Sequence, residues 1–260
     1  MKVKTDVDIT HELTFHVPAI ASRYIEVKDD DQVRDALSFG RKEGLNILIL
    51  GGGSNMLFHS DFDGLVVKIA SRGIVVLNDD GRVLEVVAEA GEMWHHFVMH
   101  TIESGWGGLE NLALIPGYVG ASPMQNIGAY GVEVKDVFAW LEAINIESGE
   151  RVRFHLEDCK FGYRESIFKL EEKDKWVIVR VAFTLDRQSE LKTSYGSLES
   201  ELSEIPKEKI THSDVANAVV KIRNSKLPNP AILGNAGSFF KNPVIDNKIF
   251  SDLQLNYPEI

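Results

Sequence analysis

The sequence predicts an α+β protein that begins with a small α/β unit. Three observations carry this: a strand–helix–strand order before residue 51, a glycine run directly after it, and a change from residue 65 onward to short β-type runs separated by Gly and Asp turns. Residues 24–27 read as a short strand. DQVRDALSFGRKEG at 31–44 has helical spacing, with Val33 and Leu37 inward and Ala36 beside them; its leading aspartates suit a helix N-terminus and Gly44 its end. NILIL at 46–50 is too short for a helix and is followed by glycines, so it reads as a buried strand. LVVKIA, GIVVL and RVLEVVAEA continue as strands, with NDDGR at 78–82 as a turn, and FAWLEAINIE and VIVRVAFTL follow later. Helical spacing returns at 92–104 and at 212–223, where Val215, Val219 and Ile222 form one stripe behind Asp214. The predicted layout is a first unit over 1–70, a larger one over 71–213 and a third over 214–260 that is only begun.

Composition narrows the function. The 260 residues, 44% hydrophobic and 26% charged, fit a folded, soluble protein of one to three domains. No apolar run approaches the ~20 residues that span a bilayer, and MKVKTDVDIT carries charges of both signs with no apolar signal core. Cys159 is the single cysteine, which excludes an intrachain disulfide and a cysteine zinc site and suits a reducing cytoplasm. A net charge of −11 argues against nucleic acid and acidic membrane surfaces as partners. It leaves room for a phosphate-bearing ligand, which backbone N–H groups and one or two local cations can hold.

Two glycine loops point to such a ligand. In ILGGGSNML at 49–57, three glycines after a buried strand permit backbone angles closed to side chains, and Ser54 and Asn55 add donors. The stretch is neither G-x-G-x-x-G nor a P-loop, and a plain turn at a strand end is the alternative. IPGYVGASPMQNIGAYG at 115–131 reads as a long loop without helix or strand. Gln125 and Asn126 there suit the edge of a flat heteroaromatic ring, and Ala121, Ser122 and Ala129 leave space for it. The alternative is a proline-kinked connection between sheets.

GGGSN, LENLALIPGYVGASPMQNIGAYGVE, FGYRES, SKLPNP and GNAGSFFKNP, in that order, resemble the UDP-N-acetylenolpyruvoylglucosamine reductase family from about residue 14 to 243. The resemblance implies an FAD-binding fold of the vanillyl-alcohol oxidase type, with two FAD-binding subdomains and the start of a substrate domain. It implies NADPH as hydride donor, a UDP-sugar enolpyruvyl ether as substrate and a role in peptidoglycan and cell-wall biosynthesis, hence in cell shape and division. A cytoplasmic monomer is expected. Gly51, Gly52, Gly53, Ser54, Asn55 and Met56 would hold the FAD diphosphate. Pro116, Gly117, Gly120, Ala121, Ser122, Gln125, Asn126, Gly128, Ala129 and Tyr130 would line the adenine, ribityl and ring side.

Arg164 in FGYRES would bind the substrate carboxylate, where a fixed planar cation stabilises the charge that grows on hydride addition. Without the resemblance, an arginine beside Tyr163 and Glu165 reads as a surface ion pair. Ser238 in GSFF would be the general acid, a role that a serine fills only when tuned by its surroundings. Lys226, Gly237 and Asn242 would surround the substrate. Tyr195 in KTSYGSL would close over its diphosphate from a flexible polar tip, as in type I members. The alternatives are another FAD-linked oxidoreductase of this fold or a non-catalytic FAD-binding fragment.

His95, His96 and His100 share a helix, but no H-E-x-x-H pattern accompanies them and no metal is expected. Trp94, Trp140 and Trp176 read as core or half-buried positions. The family continues several dozen residues past its KNP motif to a glutamate that pairs with the motif arginine. Glu259 in NYPEI stands too close to Ser238 for that role. The expectation is therefore a truncated chain that binds FAD and is weak or inactive as a reductase, with Ile249, Phe250 and Leu253 under-covered beside Phe239 and Phe240.

Overall fold

The computed structural model describes residues 2–237 and 241–258. The first sheet is built from β1 (Lys4–Asp8), β2 (Ile20–Val27), β3 (Ile47–Leu50) and β4 (Phe62–Ile69), with α1 (Asp30–Lys42) between β2 and β3. Its strand order is β1-β2-β4-β3. Both β2 and β3 run parallel to β4, so β2 needs the α1 crossover to reach its neighbourhood again. Asp29 caps α1 by accepting the Gln32 N–H at 2.8 Å. Val33, Ala36 and Leu37 pack with Ile25, Leu65 and Val67. The strand expected at 24–27 extends back to Ile20, because β2 pairs along its length with β4 and with the antiparallel edge strand β1. KTDVD in β1 carries one apolar residue and no alternation, so pairing with β2, rather than its own pattern, makes it a strand.

The second sheet has β5 (Ile74–Asp79), β6 (Val83–Glu89), β9 (Phe138–Asn145), β10 (Arg151–His155) and β11 (Trp176–Asp186) in the order β10-β9-β11-β6-β5, antiparallel throughout. The helix α2 (Trp94–Glu103), a small hairpin of β7 (Gly128–Ala129) and β8 (Val132–Glu133), and the short α3 (Leu156–Cys159) accompany it. After β11 come α4 (Gly196–Glu201), α5 (His212–Lys226) and α6 (Asn247–Asn256). Trp94, Phe97 and Phe183 form the centre of the main core, with ring centroids 5.0 to 6.0 Å apart. Val215, Val219 and Ile222 of α5 lie in that same core. The helix expected to open a third unit is thus packed onto the second.

The two sheets share apolar contacts: Ile144, Val177 and Val179 of the second sheet pack with the α1 side of the first. Arg180 reinforces the junction, 2.8 Å from Asp30 in the first turn of α1 and 3.2 Å from Glu142 on β9. A half-buried ionic cluster of this kind fixes orientation more than it adds stability, because desolvation offsets the attraction.

The segment 115–131, expected to lack regular structure, contains a one-turn 3-10 helix at Val119–Ala121 and the β7 strand. Its own backbone bonds, such as Ser122 N–H to Val119 O and Ile127 N–H to Ser122 O, supply the order. The flexible tip expected at 193–197 is likewise shorter. Gly196 begins α4, whose Leu198 is buried. Ile249 and Phe250 are exposed as expected, Leu253 is half-buried instead, and Phe239 and Phe240 fall outside the described residues.

The start of α5 is tied to the turn at Glu110–Leu112. Glu110 is 2% exposed and accepts the Gly108 N–H at 2.7 Å. The Nδ1 of His212 lies 3.2 Å from Glu110 Oε1, close enough for an ion pair though poorly aligned for a hydrogen bond. Burial alone would raise the Glu110 carboxyl, but contacts from His212 and backbone N–H groups hold it below its ordinary value. The same carboxylate raises His212 above 6.5. The stability from His212 is complete below its ordinary value and is lost as pH rises through the raised one. That from Glu110 is present above the ordinary carboxylate range and is lost as pH falls through the lowered one. The thermal-stability advantage of the wild type over His212→Asn is therefore expected to shrink between about pH 6 and pH 8, measured by melting curves across that range.

Candidate functional site

β3 delivers the chain into GGGSN, and the loop is closed on its inner side by backbone. Gly53 has φ +60°, and a Cβ there would stand 2.1 Å from Glu12 O. A Cβ on Gly52 would stand 2.9 Å from Gly117 Cα, so the two glycine loops meet main chain to main chain. Ser54 Oγ donates to Pro116 O at 3.2 Å across the same contact. Beneath the loop, buried Lys68 on β4 donates to Gly51 O at 2.8 Å and pairs with Glu12. Its ammonium lies 5.0 Å from the Tyr118 ring centroid, with the Arg72 guanidinium 5.3 Å from the same ring. Among the described residues no protein acceptor meets the N–H groups of Gly52, Gly53, Ser54 or Asn55. A row of open donors backed by a buried cation fits the diphosphate of FAD. Beside it lies a cleft of about 310 Å³ lined by Gly51, Met56, Gly120 and Ala121 and walled by Ile146 and Trp176.

The second loop is held in place more than the sequence implies. Asn126 is fully buried with φ +44°. Its Nδ2 donates to Gly162 O at 3.1 Å and its Oδ1 accepts the Lys135 N–H at 3.0 Å. Ser122 Oγ donates to Val119 O at 2.8 Å. Both side chains were expected at a ring edge or ring face; both are spent on backbone, because a turn this tight leaves buried carbonyl and N–H groups that need local partners. Gln125 is half-buried and takes no protein partner among the described residues. Leu114, just before the loop, has φ +58° and is held from both sides: its N–H donates to His95 Nδ1 at 3.1 Å, and its carbonyl accepts Arg223 Nε at 3.2 Å. Burial lowers His95 and keeps the imidazole neutral, as an acceptor must be. Asn126→Ala is expected to cost about 1–3 kcal/mol by removing two hydrogen bonds from a fully buried side chain and leaving the Lys135 N–H without its partner, seen as a lower midpoint in denaturant unfolding.

FGYRES forms a tight turn in which Gly162 and Glu165 exchange backbone bonds at 3.0 and 3.3 Å. Arg164 sits at φ +57°, a left-handed conformation unusual for a residue with a Cβ. The expected reading of Arg164 as one half of a surface ion pair does not apply: Glu165 pairs instead with Lys241 of the KNP motif at 2.7 Å, and Lys241 lies 5.7 Å from the Tyr163 ring. This contact brings the KNP motif to the turn. The other end of GNAGSFFKNP is also pinned, since Asn235 N–H donates to Thr14 O at 2.7 Å and Thr14 N–H to Gly53 O at 3.2 Å. Gly237, at φ +59°, donates its N–H to Asn235 Oδ1 at 3.0 Å. Ser238 lies outside the described residues.

Arg223 is the residue that the sequence reading missed. Burial lowers it, and Arg164 lowers it further through charge repulsion, while Tyr130 favours its charge. Neither arginine has a carboxylate partner among the described residues. Two positive charges that feel one another without an acid partner leave this region favourable to an anion. Its one sequence signal is position: Arg223 lies three residues before Lys226 on the last turns of α5. Tyr195 is 54% exposed, with its ring 5.5 Å from that of Tyr130 and nearly perpendicular to it. Lys226 and Asn242 are exposed. The remaining groups stay bland: Cys159 is buried and pushed up to about 12, and the described residues contain no group of acids, histidines or cysteines able to hold a metal. No helix among them is long and apolar enough to cross a membrane.

Comparison with known proteins identifies the fold and the family. An FAD binding domain family matches residues 21–155. UDP-N-acetylenolpyruvoylglucosamine reductase of Pseudomonas fluorescens is 46% identical over 260 residues, covering 100% of this chain and 76% of the relative. The enzyme of that name from Flavobacterium johnsoniae is 43% identical over 261 residues, covering 100% and 77%. The crystal structure of UDP-N-acetylenolpyruvylglucosamine reductase from Thermus caldophilus superposes with a TM-score of 0.66 at 22% identity, covering 98% of this chain and 81% of that one. The fold is the α+β FAD-binding fold of the vanillyl-alcohol oxidase type. With this extent of identity along the chain and an FAD binding domain matched within it, the chain belongs to the UDP-N-acetylenolpyruvoylglucosamine reductase family, FAD-containing oxidoreductases.

Proposed function

We propose that this protein reduces the enolpyruvyl ether of UDP-N-acetylglucosamine to UDP-N-acetylmuramate, with FAD as cofactor and NADPH as hydride donor, in cytoplasmic peptidoglycan synthesis that serves cell shape and division. It acts as a monomer, with residues 1–70 and 71–213 clasping FAD and 214–260 on the substrate side. Bound FAD supplies the hydride for the enolpyruvyl CH2 carbon. Gly52, Gly53, Ser54 and Asn55 donate N–H groups to its diphosphate, and the neighbouring cleft takes an apolar, planar part of the cofactor.

The observation that carries the reading is the row of open N–H donors on GGGSN together with Arg164, which has no carboxylate partner among the described residues because Glu165 pairs with Lys241. Arg164 holds the substrate carboxylate and stabilises the charge that forms there. Arg223 keeps the same region positive. Ser238 delivers the proton to the carbon next to the carboxylate, a role that rests on its place in the GSFF motif. Tyr195, Lys226, Gly237 and Asn242 enclose the UDP portion. The test is turnover: FAD-loaded protein is mixed with UDP-N-acetylglucosamine enolpyruvate and NADPH, and NADPH loss and UDP-N-acetylmuramate are followed together. Coupled loss and product support the reading. Oxidation of an alcohol or sugar without enolpyruvyl turnover assigns another FAD-linked reaction, and FAD binding with no turnover of either kind assigns a binding role.

A further inference from the structure

The short turn Glu110–Leu112 joins segments that are distant in sequence. Glu110 holds α5 through His212, and Leu112 O accepts Trp94 Nε1 of α2 at 2.8 Å. Asn111 lies between them, 1% exposed. Its amide nitrogen donates twice, to Tyr130 O at 2.9 Å and to Lys192 O at 2.8 Å. Both of its N–H bonds are thereby used, each on the carbonyl of a different loop.

Those loops have distinct tasks. Tyr130 ends the 115–131 glycine loop and is held at φ +49°. Lys192 stands three residues before Tyr195, and residues 191–194 have no regular structure of their own. Tyr195 then returns to the same place, ring to ring with Tyr130 at 5.5 Å. The Tyr195 segment is thus fastened to one residue of the glycine loop at two points, by main chain through Asn111 and by its aromatic ring. Downstream, Leu198 of α4 is buried in the main core and Lys221 of α5 pairs with Glu201, so the segment is free to adjust only between Lys192 and Tyr195.

We propose that Asn111 is a positioning residue that couples the glycine loop to the Tyr195 segment. When the loop is fixed by a bound cofactor, Tyr130 O is fixed with it, and Asn111 transmits that order to Lys192. The start of the Tyr195 segment is then set before substrate arrives. A buried amide suits this work because one nitrogen holds both carbonyls at once, so loss of either bond loosens the tie between the two loops. The inference rests on the reading above, in which the loop holds FAD and Tyr195 reaches the substrate.

Hydrogen–deuterium exchange of the full chain with and without FAD tests the coupling independently of turnover. In the wild type FAD is expected to slow the amides of 192–197 by about tenfold or more. In Asn111→Ala that slowing disappears, while FAD affinity stays within a few-fold and the amides of 117–121 still respond. In turnover, KM for the enolpyruvyl substrate rises about tenfold with kcat changed far less, the pattern of lost ground-state positioning. Asn111→Ser, which keeps one donor, gives an intermediate slowing and decides the matter if circular dichroism shows the alanine variant unfolded. Equal slowing in the wild type and the Asn111 variants overturns the proposal, as does no slowing in the wild type. If the exchange coupling is present but no enolpyruvyl reduction occurs, the reductase reading fails and the latch stands.

Discussion

Arg164→Ala is expected to lower kcat for enolpyruvyl reduction by about 10²–10³-fold, the usual cost of removing one group that stabilises transition-state charge. FAD affinity is expected to stay unchanged, because the donors proposed for the diphosphate lie on GGGSN and not on the FGYRES turn. Arg164→Lys recovers part of the loss, since an ammonium is a point charge and cannot grip a carboxylate with two parallel bonds. The backbone supplies the decisive control. Arg164 occupies φ +57°, where glycine is at ease and arginine is not. Arg164→Gly should therefore keep stability within about 1 kcal/mol of wild type, or improve it, while activity falls as far as in the alanine variant. Steady-state kinetics paired with melting curves reads both. A kcat within tenfold of wild type in the alanine variant would remove Arg164 from the mechanism. A large loss of stability in the glycine variant would recast it as a structural residue.

Gly53→Ala should abolish FAD binding at micromolar concentration. Two costs meet at this position. The residue has φ +60°, and its new Cβ would be 2.1 Å from Glu12 O, a backbone atom that cannot rotate aside. The loop must shift, and the row of open N–H groups shifts with it. Strain of this kind costs about 1–3 kcal/mol in stability, while misaimed donors cost cofactor affinity. Gly44→Ala separates the two effects, because Gly44 also has positive φ, +65°, with nothing within 4 Å of a Cβ. It should lower the melting temperature and leave FAD affinity intact. Flavin fluorescence titration and thermal unfolding of both variants provide the comparison. Equal FAD affinity in Gly53→Ala and wild type would show that GGGSN does not hold the cofactor.

Sequence pattern alone revealed the parts whose physics is local. The α1 crossover followed from helical spacing between two apolar runs, and β6, β9 and β11 from β-rich runs between turns. GGGSN was legible because glycines are the residues that fit where a backbone must turn left-handed against its neighbours. The edge strands β1 and β10 were missed because polar residues dominate both, and only a neighbouring strand makes them strands. The α4 helix was missed because six residues are too few for a period, and buried Leu198 holds it in place.

The site divides in the same way. Arg164 was visible as a motif, but its lack of an acid partner among the described residues was not: Lys241, distant in sequence, takes the neighbouring Glu165 carboxylate. Asn126 looked like a ligand for a ring until the fold placed Gly162 O and the Lys135 N–H beside it. Arg223, Lys68 and Asn111 carried no motif, because each matters only through a partner that folding brings near. By itself the sequence determined the α+β fold class, the two glycine loops and the family's reacting motifs, all of which follow from local backbone and side-chain requirements. The tertiary structure alone decided which side chains remain free to meet a ligand. That depends on which buried polar groups each side chain must first satisfy, and those groups arrive from distant parts of the chain.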